Sequence, residues 1–462
     1  MCLLAVLPSM AHASAMDGSQ LSIWWGIPFI GMLLSIALVP LLAPQFWHHH
    51  FGKIVIAWSL AFLLPCIVFL SPATATDGLM HALTDEYIPF IILLTALFAV
   101  AGGICVRGNL HGTPGLNTGL LLMGTLLASI MGTTGASMLM IRPLIRANDN
   151  RKHVVHVIVF FIFLVSNMGG SLTPLGDPPL FLGFLKGIDF FWTLKNIFPE
   201  TLFVCGVLLV IFYFLDRHYY HIGQEEFPLS QDATPDSAIR LEGKVNFLLL
   251  IAIIAAVLMS GFWKSGVSFS VFGAHIELQN ALRDLSLVAV TFVSLGITPK
   301  TARNGNDFNW GPMQEVAKLF AGIFITIIPV IAMLKAGEAG VFSAVVRAVT
   351  DINGQPINAM YFWTTGFLSA FLDNAPTYLV FFNIAGGDAS QLMTTMGSTL
   401  VAISCGAVFM GAGSYIGNAP NMMVKAIAED RGIKMPSFFG YMAWSTGILV
   451  PLFILTTLIF FR

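Results

Sequence analysis

Apolar runs recur along this chain, most of them near the roughly 17 to 25 residues a helix needs to cross a hydrocarbon core. They fall near 21–42, 53–71, 87–106, 154–185 and 196–215 in the first half, and near 244–263, 284–299, 314–335, 394–424 and 437–461 in the second. A soluble domain cannot bury so many of them. Of 462 residues, 56% are apolar and 10% charged, against about 25% charged in soluble globular chains. The sequence therefore predicts an all-α polytopic membrane protein. Two further apolar regions, near 116–145 and 358–385, are interrupted by polar residues at their centres and precede the fourth run of each half.

A formal net charge of −2 offers no basic face for nucleic acid. The five cysteines, Cys2, Cys66, Cys105, Cys205 and Cys405, stand singly in apolar runs. Neither a disulfide framework nor a zinc site is suggested, and they read as small hydrophobes. Residues 1–20 carry a short apolar run and small residues at Ala11, Ala13 and Ala15, like the end of a secretory signal peptide without its basic start.

Basic residues orient the chain, because cytoplasmic loops collect Lys and Arg. If each interrupted region is a re-entrant hairpin that enters and leaves on one side, 15 of the 22 basic residues fall in one set of loops. That set is cytoplasmic. The loop 71–86, without Lys or Arg and ending in Asp85 and Glu86, falls outside and reads as solvated. On this topology the first transmembrane repeat, 21–215, begins outside, and the second, 244–462, begins inside. A cytoplasmic connector at 216–243 joins them. The expectation is two inverted-topology repeats, each of about five transmembrane helices with one re-entrant hairpin and one broken helix. A constant offset of 241 residues supports it: "LGDPP" from Leu175 aligns with "IGNAP" from Ile416, and "GTTGAS" from Gly132 with "DNAPTY" from Asp373.

The stretch "SNMGGSLTPLGDPP", Ser166 to Pro179, spoils an apolar run that would otherwise continue as a helix. "FMGAGSYIGNAPN" spoils the corresponding run of the second half. Non-helical backbone at membrane depth survives only where protein encloses it or a wet cavity receives its free polar groups. Broken helices at corresponding places in two halves point to a binding site near the midplane of a secondary transporter.

Four segments, "MGTTGASMLMIRPLIRAN", "SNMGGSLTPLGDPPLFLGFLKG", "LDNAPTYLVFFNIAGG" and "GAVFMGAGSYIGNAPNMMVKAIAEDRG", resemble the citrate-transporter-like branch of the ion transporter superfamily, which includes NhaD-type sodium/proton antiporters. The resemblance runs from about residue 21 to the end. It implies inverted repeats with hairpins and broken helices, a homodimer and an elevator-like motion. The Ser-Asn-Thr signature of the dicarboxylate branch is not reproduced: Met168 follows Ser166-Asn167, and the hairpin tips read Thr133-Thr134-Gly135 and Asp373-Asn374-Ala375.

Asp177 and Asp373 are the only acids at the two broken helices and the two hairpin tips themselves. An intramembrane acid is by default a functional-site hypothesis, and a carboxylate suits Na⁺ or a proton. Asp177, ahead of Pro178 and Pro179, is expected to cap the following helix with backbone donors and to serve as a fixed cation ligand or structural cap. Asp373 is expected to be the proton-exchanging group. Thr133, Thr134, Asn167, Ser171, Thr173, Asn374, Thr377, Ser414 and Asn418 supply neutral oxygens and amides at the same breaks, for the ion or for freed backbone groups.

No HExxH helix or P-loop is present, so neither an intramembrane zinc protease nor an ATP-driven pump is suggested. No cofactor is expected; Na⁺ and/or H⁺ are the coupling ions. The partners are the lipid bilayer and a small ion or organic anion. The sequence points to a multi-pass transporter of a bacterial inner membrane, working by alternating access. Two carboxylates without Lys or Arg at the breaks favour Na⁺/H⁺ antiport, with citrate or another organic anion carried by cation or proton symport as the alternative.

Overall fold

The computed structural model describes residues 16–226, 237–271 and 274–462. The signal-like segment up to residue 15 and positions 227–236 of the connector lie outside the described residues.

Long apolar helices form the first part. α1 (Ile27–Leu42) and α2 (Pro44–Pro65) pair across Ala43. A π-turn at Cys66–Leu70 follows, then α3 (Pro72–His81) and, through a second π-turn at Ala82–Tyr87, α4 (Ile88–Ala101). The segment expected as a solvated loop is thus helical. Ser71 accepts the Thr74 N–H at 2.9 Å, and Pro72 occupies the first turn, where its missing N–H costs nothing. Glu86 is not simply solvated either, since it pairs with Lys186.

α5 (Pro114–Met131) and α6 (Thr133–Ala147) pack against each other about Gly132, whose φ of 83° permits the reversal. α7 (Val155–Leu164) stops short; a 3₁₀ turn at Met168–Gly170 and an irregular stretch lead to α8 (Pro178–Leu185). α9 (Phe190–Glu226) continues well into the expected connector. The connector ends in β2 (Ser237–Glu242), antiparallel to β1 (Cys105–Asn109). α10 (Val245–Phe262) and α11 (Leu278–Ile297) pack together, with the short strands β3 (Ser268–Val271) and β4 (Ala274–Glu277) between them in sequence. After α12 (Lys300–Gly305), α13 (Gly311–Thr326) and α14 (Ile328–Lys335) meet at a 42° bend.

α15 (Ser343–Ala348) leads to α16 (Asn358–Phe371) and α17 (Asn374–Ile384), which pack as a second helix pair. α18 (Ala389–Met393) precedes α19 (Gly397–Met410), which breaks at a 3₁₀ turn, Gly411–Gly413. α20 (Ala419–Asp430) and α21 (Phe438–Phe460) complete the chain.

Among the described residues, eight helical segments are long and apolar enough to cross a membrane, or nine if the bent α13–α14 pair is one span. Burial sorts them. α1, α2, α10, α11 and α21 expose large apolar side chains such as Leu38, Ile56, Leu248, Phe292 and Ile454, as surfaces facing lipid do. In α7 every residue from His156 to Leu164 is buried, and so is every residue of α19 from Thr399 to Met410. The two interrupted helices form the centre of the protein, where neighbouring helices rather than lipid receive their broken ends.

A buried polar clamp ties this centre to α9. Asp216, fully buried, accepts hydrogen bonds from Arg151 Nη1 at 3.1 Å, His156 Nε2 at 2.7 Å and Asn117 Nδ2 at 3.0 Å. The first residue of the expected hydrophilic connector is therefore an interior ion pair. The four described cysteines are free and buried.

Candidate functional site

Four helix starts converge at the centre: α6 at Thr133, α8 at Asp177, α17 at Asn374 and α20 at Asn418. The Asp177 carboxylate, 2% exposed, joins them. Thr133 Oγ1 donates to its Oδ1 at 2.9 Å and Asn418 Nδ2 to the same oxygen at 3.1 Å. Asn374 Nδ2 donates to Oδ2. Every one of these donors is neutral. Asn374 then presents a buried Oδ1 with no hydrogen-bond partner among the described residues, and a buried unpaired amide oxygen carries a desolvation cost of about 1–3 kcal/mol. A cation beside the carboxylate would satisfy it.

The roles of the two acids differ from those expected of their sequence contexts. The Asp177 side chain makes no cap hydrogen bond to α8. Pro178 and Pro179 have no N–H to give, and the next donor, Leu180 N–H, goes to the Asp177 backbone carbonyl at 3.1 Å. The prolines that mark the helix start remove the donors a capping carboxylate would use. Asp373 is the cap instead: its Oδ1 accepts the Ala375 N–H at 3.1 Å, because the proline of this helix stands later, at Pro376.

The remaining candidates divide by position. Asn167 is fully buried; its Nδ2 donates to Asn421 Oδ1 and to Ile162 O, both at 2.8 Å, and its Oδ1 accepts from Asn418 at 3.3 Å. Thr134 lines the adjacent cavity. Ser171 bonds Thr201 of α9 at 2.7 Å and Met168 O at 2.8 Å, away from Asp177. Thr377 donates to Asp373 O at 3.0 Å, as helix backbone bonding. Thr173 and Ser414 each hold a break: Thr173 Oγ1 donates to Ser129 O and accepts Leu175 N–H, and Ser414 Oγ donates to Ala370 O and accepts Ile416 N–H, both N–H contacts being 3.2 Å. These bonds recur at the same 241-residue spacing that separates Asp177 from Asn418. A Cβ on Gly176 would lie 2.2 Å from Gly170 O and one on Gly417 2.5 Å from Gly411 O, so both breaks require glycine at corresponding places.

Asn421, the last residue of the second break segment, belongs to this network and is absent from the candidates read from the sequence. Fully buried, it donates to Gly411 O and Ser414 O at 2.9 Å each. Its position three residues after Asn418, on one helix face, is the available signal.

Beside Asp177 lies a cavity of about 100 Å³ lined on one side by Thr133, Thr134, Asp177, Asp373 and Asn418. α4 and α13 contribute apolar lining, including Leu97, Phe98, Met313 and Phe320. Among the described residues, no Lys, Arg or His lines it. At about 30 Å³ per water, it has room for an ion with a few waters.

A polytopic helical chain whose broken helices enclose a buried carboxylate has the form of a membrane transporter. The chain belongs to the family described as "Putative citrate transport", whose model matches residues 18–461. It is similar to an uncharacterized transporter of Mycobacterium bovis and to one of Mycobacterium tuberculosis, each 25% identical over 416 residues that cover 86% of this chain and 84% of the relative.

Proposed function

We propose that this protein is a secondary active transporter that exchanges Na⁺ for protons by alternating access, with Asp177 as the group that both ions neutralise in turn. The observation that carries the reading is the donor set: one buried carboxylate, neutral neighbours, a partnerless Asn374 Oδ1 and no basic side chain lining the cavity. Oxygen ligands suit a hard cation. A proton on Asp177 and Na⁺ beside it are mutually exclusive ways of discharging one carboxylate, and that exclusion is what exchange requires. Asp373, which also lines the cavity, is assigned to holding α17.

The same reading takes the chain as two inverted repeats with α5–α6 and α16–α17 as re-entrant hairpins. At 1.5 Å per residue, α17 with 11 residues is about 16 Å long, about half of the roughly 30 Å core, while α5, with 18 residues, is the longer arm of its pair and is itself among the segments long enough to cross. The hydrogen bonds that recur at one offset support the repeat. The apolar wall of α4 and α13 offers few polar anchors to the block of broken helices, which suits an elevator-like slide of that block. We place the protein in a bacterial inner membrane as a homodimer.

One observation favours a second reading. Helix N-termini carry partial positive charge, and four of them converge on Asp177, so an organic anion such as citrate, accompanied by a cation, would find donors there. Family membership points the same way. Everted vesicles loaded with a pH-sensitive dye, challenged in turn with Na⁺, Li⁺ and citrate, separate the two. Proton movement on adding Na⁺ alone supports exchange; citrate-dependent proton or Na⁺ uptake without it overturns exchange in favour of symport.

A further inference from the structure

Besides Asp216, another buried acid stands apart from the central site. Glu200 lies inside α9, is 7% exposed, and its Oε2 has no hydrogen-bond partner among the described residues. A partnerless buried carboxylate oxygen is costly, so its surroundings bear on what meets that cost. Glu200 lines a cavity of about 450 Å³ with Asn196, Asn358, Thr394, Thr395 and Thr399. Pro356 also lines it, so it opens on the face that carries the loop 336–357, the external face on the charge-based topology.

Several of the lining side chains have already spent their donors. Thr394 Oγ1 donates to Ser390 O at 2.7 Å and Thr395 Oγ1 to Gln391 O at 3.3 Å. Thr399 Oγ1 donates to Asn358 Oδ1 at 2.8 Å, and Asn196 Nδ2 to Trp192 O at 2.8 Å. The three threonine hydroxyl protons are committed, leaving their oxygen lone pairs free, and among the described residues no Lys, Arg or His lines the cavity. An anion would meet a carboxylate with no basic side chain to offset it. A cation would meet that carboxylate and the threonine and amide oxygens, with room to keep part of its water shell at about 30 Å³ per water.

We propose that Glu200 and this cavity form a second cation site, distinct from Asp177, that takes a partly hydrated alkali cation from the external side. It stands whether the central cargo is a cation or an organic anion. The site is joined to the broken helix by a short path, since the next residue, Thr201, shares a 2.7 Å hydrogen bond with Ser171.

Equilibrium binding of radiolabelled Na⁺ to the purified full-length protein tests it. Glu200→Gln should lower the saturating stoichiometry by one ion per chain. Asp177→Asn should keep saturable Na⁺ binding, and the double variant should lose it. Unchanged stoichiometry in Glu200→Gln, or binding that survives in the double variant, overturns the site, as does complete loss of binding in Asp177→Asn alone. If Glu200→Gln does not fold, a Ser398→Cys protein with Glu200 intact serves instead, because Ser398 lines the same cavity and the four described native cysteines are buried. Na⁺, but not choline, should slow its modification by a water-soluble thiol reagent severalfold. Equal rates in the two salts overturn the proposal.

Discussion

Replacing Asp177 by Asn removes one charge and little volume, so the structure sets the size of the effect. A unit charge about 4 Å from a monovalent cation contributes about 4 kcal/mol at the effective dielectric of about 20 that describes protein sites. At about 1.4 kcal/mol per decade, the Asp177→Asn protein should bind Na⁺ roughly a thousandfold more weakly at the central site. Folding should survive: charge-assisted bonds from Thr133, Asn374 and Asn418 become neutral ones, and the cost of burying a charge disappears with them. Asp373→Asn is the matched control. An Asn oxygen can still accept the Ala375 N–H, since Asn caps helices as well as Asp, so its effect on Na⁺ affinity should be far smaller. The assay is Na⁺-dependent proton movement in everted vesicles, with a size-exclusion profile to verify folding. A loss below about tenfold in Asp177→Asn, or a greater loss in Asp373→Asn, would refute the assignment of the two acids.

Three further outcomes are expected. Gly176→Ala places a Cβ 2.2 Å from Gly170 O, and overpacking of this kind costs about 1–3 kcal/mol; thermal unfolding in detergent should show a lowered midpoint, and an unchanged one would mean the break relaxes freely. Asp216→Ala strands Arg151 and His156 in the interior, where breaking a buried ion pair costs about 3–5 kcal/mol; low yield or a sharply lowered midpoint should follow, and wild-type stability would show that water reaches the clamp. In a background without native cysteines, an impermeant thiol reagent applied from outside should label Ile352→Cys, whose side chain is wholly exposed, and not Lys152→Cys; the reverse pattern would invert the topology.

Apolar run length and the Gly and Pro content of two of those runs were enough to read a helical membrane protein with interrupted helices, because both signals are local. Contacts across 197 and 241 residues, such as Asn374 and Asn418 to Asp177, depend on how helices pack and leave no local trace. The cap expected of Asp177 fails for a local reason that the sequence itself shows: Pro178 and Pro179 delete the N–H groups a cap needs. The helical 72–81 segment was hidden by its polarity, although Ser71 and Pro72 form an ordinary helix start. Glu200 falls outside the interrupted motifs, yet an acid within the apolar run 196–215 was itself a signal. Asp216 looked like the edge of a hydrophilic connector because the helix carrying it runs on into that connector.

The recurrence at 241 residues is close in backbone and unequal in chemistry, and the inequality bears on what the centre can carry. Thr173 and Ser414 repeat the same bonds, and Asp177 and Asn418 both stand in extended backbone at a helix start, with φ −139° and −152°. One of that pair is an acid and the other an amide; at the hairpin tips the pair is Thr133 and Asn374. Two aspartates facing each other would repel unless two cations or protons separated them. With Asn418 at the matching position, a single monovalent cation or a single proton neutralises Asp177, and the amide of Asn418 and the hydroxyl of Thr133 hold it without adding charge; Asp373, which also lines the cavity, keeps its own carboxylate at the start of α17. On the exchange reading proposed above, the loaded and protonated states carry the same charge at Asp177, so a moving block of broken helices would meet the same electrostatic cost at this carboxylate with Na⁺ as with H⁺. The charged, unloaded state would carry a bare carboxylate past the apolar side chains of α4 and α13, and its higher cost would supply the coupling that such exchange needs.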